Sequence, residues 1–144
     1  MATVDDVDQL LEQWYPASGE FLKGNPEPVK KMWSHREDVT LANPYGPPVH
    51  GWEQVAEVID RAASQVRDGE LVSVEIVAKH VTAELAYLVE IERPKAKIGG
   101  SEDITPFALR VTMIFRPEDG GWKIVHRHAD PITTPQPAES VIQE

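Results

Sequence analysis

The chain has 144 residues, a hydrophobic content of 41% with four Trp, and a formal net charge of −10, which together suit one domain with one packed core. This acidity disfavours nucleic acid and anionic membranes as partners, because both would repel the chain. Cysteine is absent, which excludes disulfides and thiolate chemistry, and no apolar run approaches the roughly 20 residues of a membrane span. Since the acidic start lacks the basic and apolar pattern of a signal peptide, we expect a cytoplasmic protein.

The apolar spacing predicts three helices, at residues 4–22, 26–33 and 51–66. β-Branched and aromatic runs separated by turn residues predict strands at 38–42, 70–79, 82–93, 102–116 and 122–130. Helices followed by a run of strands indicate an α+β fold, in which a curved antiparallel sheet wraps around the N-terminal helices. We expect one domain at 1–132 and a loosely ordered tail at 133–144, where Pro135 and Pro137 interrupt regular structure.

The last two predicted strands form a hairpin, and along the second of them Trp122, Ile124, His126, His128 and Asp130 share one face. If Arg116 pairs with Trp122, then Thr112 faces His126 and Arg110 faces His128, and opposed residues point to the same side of the sheet. On this register a single face carries five polar groups. They are Arg110, Thr112, His126, His128 and Asp130. A slip of one residue would send Arg110 and Thr112 to the other side.

His126 and His128 are the first candidates for chemistry, because an imidazole with an ordinary pKa near 6.5 exchanges protons at neutral pH. The His-x-His spacing could instead bind a metal with Asp130 or Glu92 as third ligand. No second metal-binding pattern accompanies it, and we predict neither a metal nor a cofactor.

Arg110 has two interpretations, an ion pair with Glu92 that closes the end of the sheet, or a clamp for an anionic group of a substrate. Glu90 is expected to be solvated, and Arg127 falls on the face opposite the histidines.

The loop at residues 43–48 contains three prolines and supplies further candidates for ligand binding. Asn43 and Tyr45 could orient a ligand there, and Trp52 could cover the mouth of a pocket at the start of the third helix. Tyr15 either fills the interface between helix and sheet or reaches that pocket.

Three stretches resemble one family of proteins. They are residues 38–46 (Asp-Val-Thr-Leu-Ala-Asn-Pro-Tyr-Gly), 50–55 (His-Gly-Trp-Glu-Gln-Val) and 121–128 (Gly-Trp-Lys-Ile-Val-His-Arg-His). Together with the order of elements, they resemble the cone-shaped fold shared by nuclear transport factor 2, ketosteroid isomerase and the SnoaL-like proteins. In the isomerase an Asp before Pro is the general base; Asn43 stands there in this chain, and an amide cannot accept a proton at neutral pH.

The resemblance implies a pocket between helices and sheet, and therefore a small-molecule ligand as partner. We expect a mostly apolar ligand with a carbonyl or carboxylate, and acid/base turnover of the isomerase, cyclase or hydrolase type if the protein is an enzyme. In that case His128 or His126 would exchange protons and Arg110 would stabilise negative charge. The alternative is a non-catalytic ligand-binding or association module. The resemblance also implies a homodimer through the convex side of the sheet, for which Leu109, Val111 and Met113 would supply exposed apolar surface.

Overall fold

The computed structural model describes residues 4–143, so residues 1–3 of the expected domain and residue 144 of the expected tail lie outside the described residues. The helices are α1 (Val4–Leu22), α2 (Glu27–Met32) and α3 (Trp52–Ala63), followed near the C-terminus by a short 3-10 helix (Ala138–Val141). The predicted bounds of α1 are confirmed. The third helix ends three residues earlier than predicted, because Val66 already belongs to a strand.

Helix α1 forms where apolar residues recur at helical spacing, and this apolar side is buried. Val7, Leu10 and Trp14 are all at most 8% exposed. The helix ends where Gly24 adopts a left-handed conformation with φ +95°. The amide of Gly24 then donates to the carbonyl of Phe21 at 2.9 Å, which satisfies one of the free carbonyls at the helix end. None of the helices in the described part of the chain is long and apolar enough to cross a membrane.

Within residues 4–143, seven strands build one curved, open sheet. They are β1 (Thr40–Ala42), β2 (Val49–His50), β3 (Val66–Val81), β4 (Ala86–Ile98), β5 (Thr105–Pro106), β6 (Leu109–Glu118) and β7 (Gly121–Asp130). The strand order is β2-β1-β7-β6-β4-β3, with β5 beside β4. The strand pairs are antiparallel except that β1 runs parallel to β7, so the sheet is mixed. The α+β cone itself is confirmed.

The hairpin of β6 and β7 differs from the predicted register. Glu118 pairs with Gly121, so the turn consists of two residues, and Gly120 takes the positive φ of +92° that such a turn requires. Further along, Phe115 pairs with Ile124 but Ile114 pairs with His126, so Val125 is an extra residue in β7. This residue forms a β-bulge.

The bulge decides which side chains of β7 point inward. Before it, Trp122 and Ile124 are buried in the core; after it, Ala129 is buried and His128 is exposed. The predicted single face running from Trp122 to Asp130 is therefore wrong, because one unpaired residue shifts the alternation of side chains by one position.

The core lies between the helices and the concave side of the sheet. Leu88, Met113 and Phe115 are fully buried there, beneath residues of α1 and α2 such as Trp14 and Val29. The expectation that Val111 and Met113 form exposed surface for a dimer is wrong, because β6 turns them toward the helices; Leu109 is partly buried against the same core.

Candidate functional site

A cavity of about 100 Å³ lies between the helices and the concave side of the sheet. Most of its wall is apolar, with Trp14, Phe21 and Trp33 from the helical side and Phe107 and Leu109 from the sheet side. Polar groups also reach it from several elements. They are Ser18, Asn43, Tyr45, Gln65, Glu92 and Arg127. A mostly apolar wall with a few polar groups is the usual character of a small-molecule site.

Glu92 and Arg127 form the charged part of this wall. Arg127 Nη1 donates to Glu92 Oε2 at 3.0 Å and Nη2 donates to Glu92 Oε1 at 2.8 Å, a bidentate arrangement. The Arg127 side chain is 13% exposed and the Glu92 side chain 3%, so water contributes little to their solvation. The guanidinium also lies 5.4 Å from the ring centre of Trp14, which adds a cation–π contact.

The pair forms because β4 and β7, the two neighbours of β6 in the sheet, each turn one of these side chains to the concave side. Glu92 points to the concave side from β4, where it opposes Leu109. Arg127 points to the same side from β7, opposite Met113 on β6 and beside Leu41 on β1. Burial alone would raise the pKa of Glu92, but the charge and the two hydrogen bonds of Arg127 outweigh it and lower that pKa. Glu92 is therefore ionised at neutral pH.

A second carboxyl group stands two residues earlier on the same face of β4. Glu90 has no measurable exposure, and the hydroxyl of Tyr15 donates to its Oε1 at 3.1 Å. Its other oxygen, Oε2, has no hydrogen-bond partner among the described residues. Burial, together with the neighbouring Glu92 carboxylate, raises the pKa of Glu90 to about 9. Glu90 thus carries its proton at neutral pH.

These four side chains form a cluster with no net charge at neutral pH. Glu92 is balanced by Arg127, Glu90 is protonated, and the pKa of Tyr15 is raised by burial and by the adjacent Glu90. A balanced and hydrogen-bonded cluster is the form in which ionisable groups are tolerated beneath a protein surface.

Three of the residues singled out in the sequence reach the cavity. Asn43, Tyr45 and Glu92 line it, and their roles toward a ligand stay predictions. Tyr15 lies beside the cavity through its hydrogen bond to Glu90. Trp52 does not line the cavity; it begins α3 and stacks on His35, with ring centres 3.9 Å apart.

The other five predicted residues lie together on the convex side of the sheet. Thr112 pairs with His128 and Arg110 pairs with Asp130, so the prediction that they share one face is confirmed. The prediction that this face lines the pocket is wrong, because the bulge at Val125 turns it outward.

The convex cluster has its own contacts. Arg110 Nε donates to Asp130 Oδ1 at 2.7 Å, and His128 Nε2 lies 3.0 Å from Asp130 Oδ2. His126 Nδ1 is 2.7 Å from Thr40 Oγ1, and burial together with the charge of His128 lowers the pKa of His126.

Neither proposed interpretation of Arg110, the pair with Glu92 or the clamp in the pocket, matches these contacts. None of these residues lines the cavity, and the catalytic roles proposed for His126, His128, Arg110 and Asp130 stay predictions. No group of three or more His, Asp or Glu side chains within residues 4–143 is arranged to hold a metal ion.

Sequence reasoning missed Glu90 and Arg127. For Glu90 a signal was present, because Ala86 and Leu88 precede it on the same face of β4 and both are buried. Glu90 therefore continues an apolar face rather than a solvated one. For Arg127 the sequence carries no such signal, since a bulge does not interrupt the pattern of residue types.

A model of the SnoaL-like domain matches residues 7–133 of the chain. None of the curated proteins matches the sequence significantly. Several solved structures share the fold. A nuclear transport factor 2-like superfamily protein from Salmonella enterica superposes with a TM-score of 0.75 at 16% identity, covering 94% of each chain. A ketosteroid isomerase-like protein from Erwinia carotovora has a TM-score of 0.72 at 17% identity, covering 91% of this chain and 97% of that chain.

A protein from Thiobacillus denitrificans, named a calcium/calmodulin-dependent protein kinase type II association domain, has a TM-score of 0.69 at 21% identity. It covers 88% of this chain and 94% of that chain. At such identities the structures establish the fold alone. The match of the SnoaL-like domain model over residues 7–133 shows that the chain belongs to the SnoaL-like family.

Proposed function

We propose that this protein binds a small, mostly apolar molecule that carries a neutral carbonyl group, in the cavity between the helices and the sheet. The observation that supports it is the largely buried, charge-balanced pair of Glu92 and Arg127 in a mostly apolar wall. Such a wall favours an apolar body, and its few polar groups orient one polar atom of the ligand.

Arg127 is the donor best suited to a carbonyl oxygen. A guanidinium has five N–H groups. Two of those of Arg127 bind Glu92, and one contact of Nη1 goes to Met113 Sδ at 3.2 Å. The remaining N–H groups, with the side-chain amide of Asn43, are available to a carbonyl oxygen inside the cavity.

A neutral carbonyl suits this wall better than a carboxylate. Glu92 already neutralises Arg127, so a bound carboxylate would add an unbalanced negative charge to a largely desolvated site. The net charge of −10 would also repel an anion as it approached the protein.

Binding rather than acid/base turnover is the function that this arrangement supports best. Glu92 is the carboxylate in the wall of the cavity, and its lowered pKa makes it a weak proton acceptor near neutral pH. Glu90 holds its proton tightly and does not line the cavity.

Titration with cyclohexanone, followed by NMR, tests the proposal. Cyclohexanone should shift the signals of residues around the cavity and bind at least tenfold more tightly than cyclohexanecarboxylate. Ala129→Leu fills the cavity from β7 and should weaken the binding of cyclohexanone at least tenfold, or by about 1.4 kcal/mol. His128→Ala, the adjacent residue on the opposite face, should leave the affinity unchanged.

Ser18→Leu fills the same cavity from α1 and replaces Ala129→Leu if that variant does not fold. Binding of cyclohexanone that survives both substitutions, or that His128→Ala abolishes, would overturn this placement of the ligand. Preference for the carboxylate would overturn the assignment of a neutral carbonyl.

We also propose that two copies of the chain pack through the convex side of the sheet. The contact would use other residues than the predicted Leu109, Val111 and Met113, which point to the core. The apolar side chains that point outward from β4 and β6 are Tyr87, Val89, Ile91 and Ile114. Tyr87 is 42% exposed, and the other three are partly exposed. A pleated surface with such a strip in its middle suits a symmetric contact with a second copy.

Sedimentation velocity at micromolar concentration should give a dimer, and Val89→Glu should give a monomer, because it places a charge in the centre of the contact. Ile104→Glu is the control, since Ile104 is an apolar residue that is half exposed but lies in the loop before β5. A wild-type monomer would contradict the proposed dimer.

A further inference from the structure

A second, larger space adjoins the cavity. This outer cleft has a volume of about 450 Å³ and lies between α3 and the proline loop that follows β1. The residues that line only the cleft, and not the cavity, come from that loop, from β2, from α3 and from the end of β4. They are Gly46, Pro47, Val49, Val58, Arg61 and Gly99.

The cavity and the outer cleft share part of their walls. The residues that line both spaces are Asn43 and Tyr45 from the loop, Ala62 from α3, Gln65 from the turn after α3, and Ile98 from β4. These five residues therefore form a partition with the cavity on one side and the cleft on the other. Tyr45 is 69% exposed and Gln65 is also exposed, so the partition reaches the surface and is not sealed by packing.

The volumes show why the partition matters for a ligand. A cavity of about 150 Å³ holds one benzene molecule, and sites for organic ligands usually measure about 300–1,000 Å³. The cavity of about 100 Å³ lies below both values, so it takes up the carbonyl end of a small ring such as cyclohexanone but cannot enclose a longer ligand, whereas the cavity and cleft together fall within the usual range.

We propose that the two spaces form one binding site for an elongated, uncharged molecule, with its carbonyl end in the cavity and its apolar tail in the outer cleft. This inference rests on the proposed function and adds the shape of the ligand. Pro47, Val49 and Val58 give the cleft an apolar wall.

The charges at the cleft agree with an uncharged tail. Arg61 is the charged residue in its wall, and Arg61 Nη2 already donates to Glu57 Oε1 at 3.0 Å. Both side chains of this pair are more than 60% exposed, so Arg61 stays in water and needs no anionic group from the ligand.

Gly46 offers a direct way to close the cleft without disturbing the cavity. It lines only the cleft, and a Cβ atom added to it would meet no other atom within 4 Å. Gly46→Phe therefore places a ring in open space rather than into packed core. Gly19→Phe is the matched control, because Gly19 is equally free of close neighbours and lines neither space.

The test compares cyclohexanone, which lacks a tail, with 2-decanone, whose chain extends from a similar carbonyl. In the wild type, 2-decanone should bind at least tenfold more tightly than cyclohexanone and compete with it. Gly46→Phe should remove this advantage and leave the affinity for cyclohexanone unchanged, whereas Gly19→Phe should change neither. Val58→Phe narrows the cleft from α3 and should likewise remove the tighter binding of 2-decanone without changing the affinity for cyclohexanone. It replaces Gly46→Phe if that variant does not fold.

The outcomes separate the two proposals. If cyclohexanone binds but 2-decanone binds no more tightly, the two-space site is overturned and the proposed function stands. The same holds if 2-decanone keeps its higher affinity in both Gly46→Phe and Val58→Phe. If neither ketone binds, the proposed function fails, and this inference fails with it.

Discussion

Replacing Arg127 with Met is expected to lower the free energy of unfolding by about 3–5 kcal/mol, because it leaves the carboxylate of Glu92 buried without its partner. Glu92 can escape this penalty only by taking up a proton, so its pKa should rise and the loss should be smaller at acidic pH. Urea denaturation at pH 5 and pH 8 measures both effects.

Two further variants test whether burial, rather than ion pairing as such, produces this loss. The double variant Arg127→Met with Glu92→Leu should recover most of the stability, since apolar side chains can replace a buried pair at little net loss. Arg110→Met breaks the pair with Asp130 on the same strands but on the convex side, where the Arg110 side chain is 56% exposed. It should change stability by at most about 1 kcal/mol. Equal losses for Arg110→Met and Arg127→Met would contradict the burial of the Glu92–Arg127 pair.

Replacing Glu90 with Gln is expected to make the protein more stable at neutral and alkaline pH. The pKa of Glu90 is raised from 4.5 to about 9, so between these values the folded state binds a proton that the unfolded state has released. Stability supplied by this group is therefore complete below pH 4.5 and is lost as the pH rises toward 9. Gln keeps the shape and the contact with Tyr15 but has no proton to lose.

The difference between wild type and Glu90→Gln should grow by up to about 1.4 kcal/mol per pH unit across this window. Urea denaturation at pH 4, 6 and 8 measures it, and the two proteins should be similar at pH 4. Glu84→Gln, in the exposed turn between β3 and β4, is the control and should keep the wild-type dependence on pH. Parallel curves for wild type and Glu90→Gln would show that Glu90 is ionised in the folded protein.

These two variants address residues that the sequence did not identify as a site. Arg127 was missed because of the bulge that precedes it, and Glu90 because of the element that covers it. Whether a glutamate on a strand is solvated depends on what covers that face, and the cover comes from α1, which is distant in the chain. Tyr15 of α1 reaches Glu90 across 75 positions of sequence. Local alternation identifies the residues that share a face but not the element that lies over it.

Periodicity in the sequence alone determined the bounds of α1 and the α+β class, because these features follow from contacts between near neighbours. The common face of Arg110, Thr112, His126, His128 and Asp130 agrees with the prediction because the one-residue shift at the turn and the bulge at Val125 cancel each other in their effect on facing. The cone was expected from the family resemblance and is confirmed by the structure. Only the tertiary structure decided that this face points outward and that Glu92 meets Arg127 inside. A single unpaired residue, Val125, reverses the alternation within β7, and its position is set by the pairing of β7 with β6 and β1 rather than by any residue type in the strand.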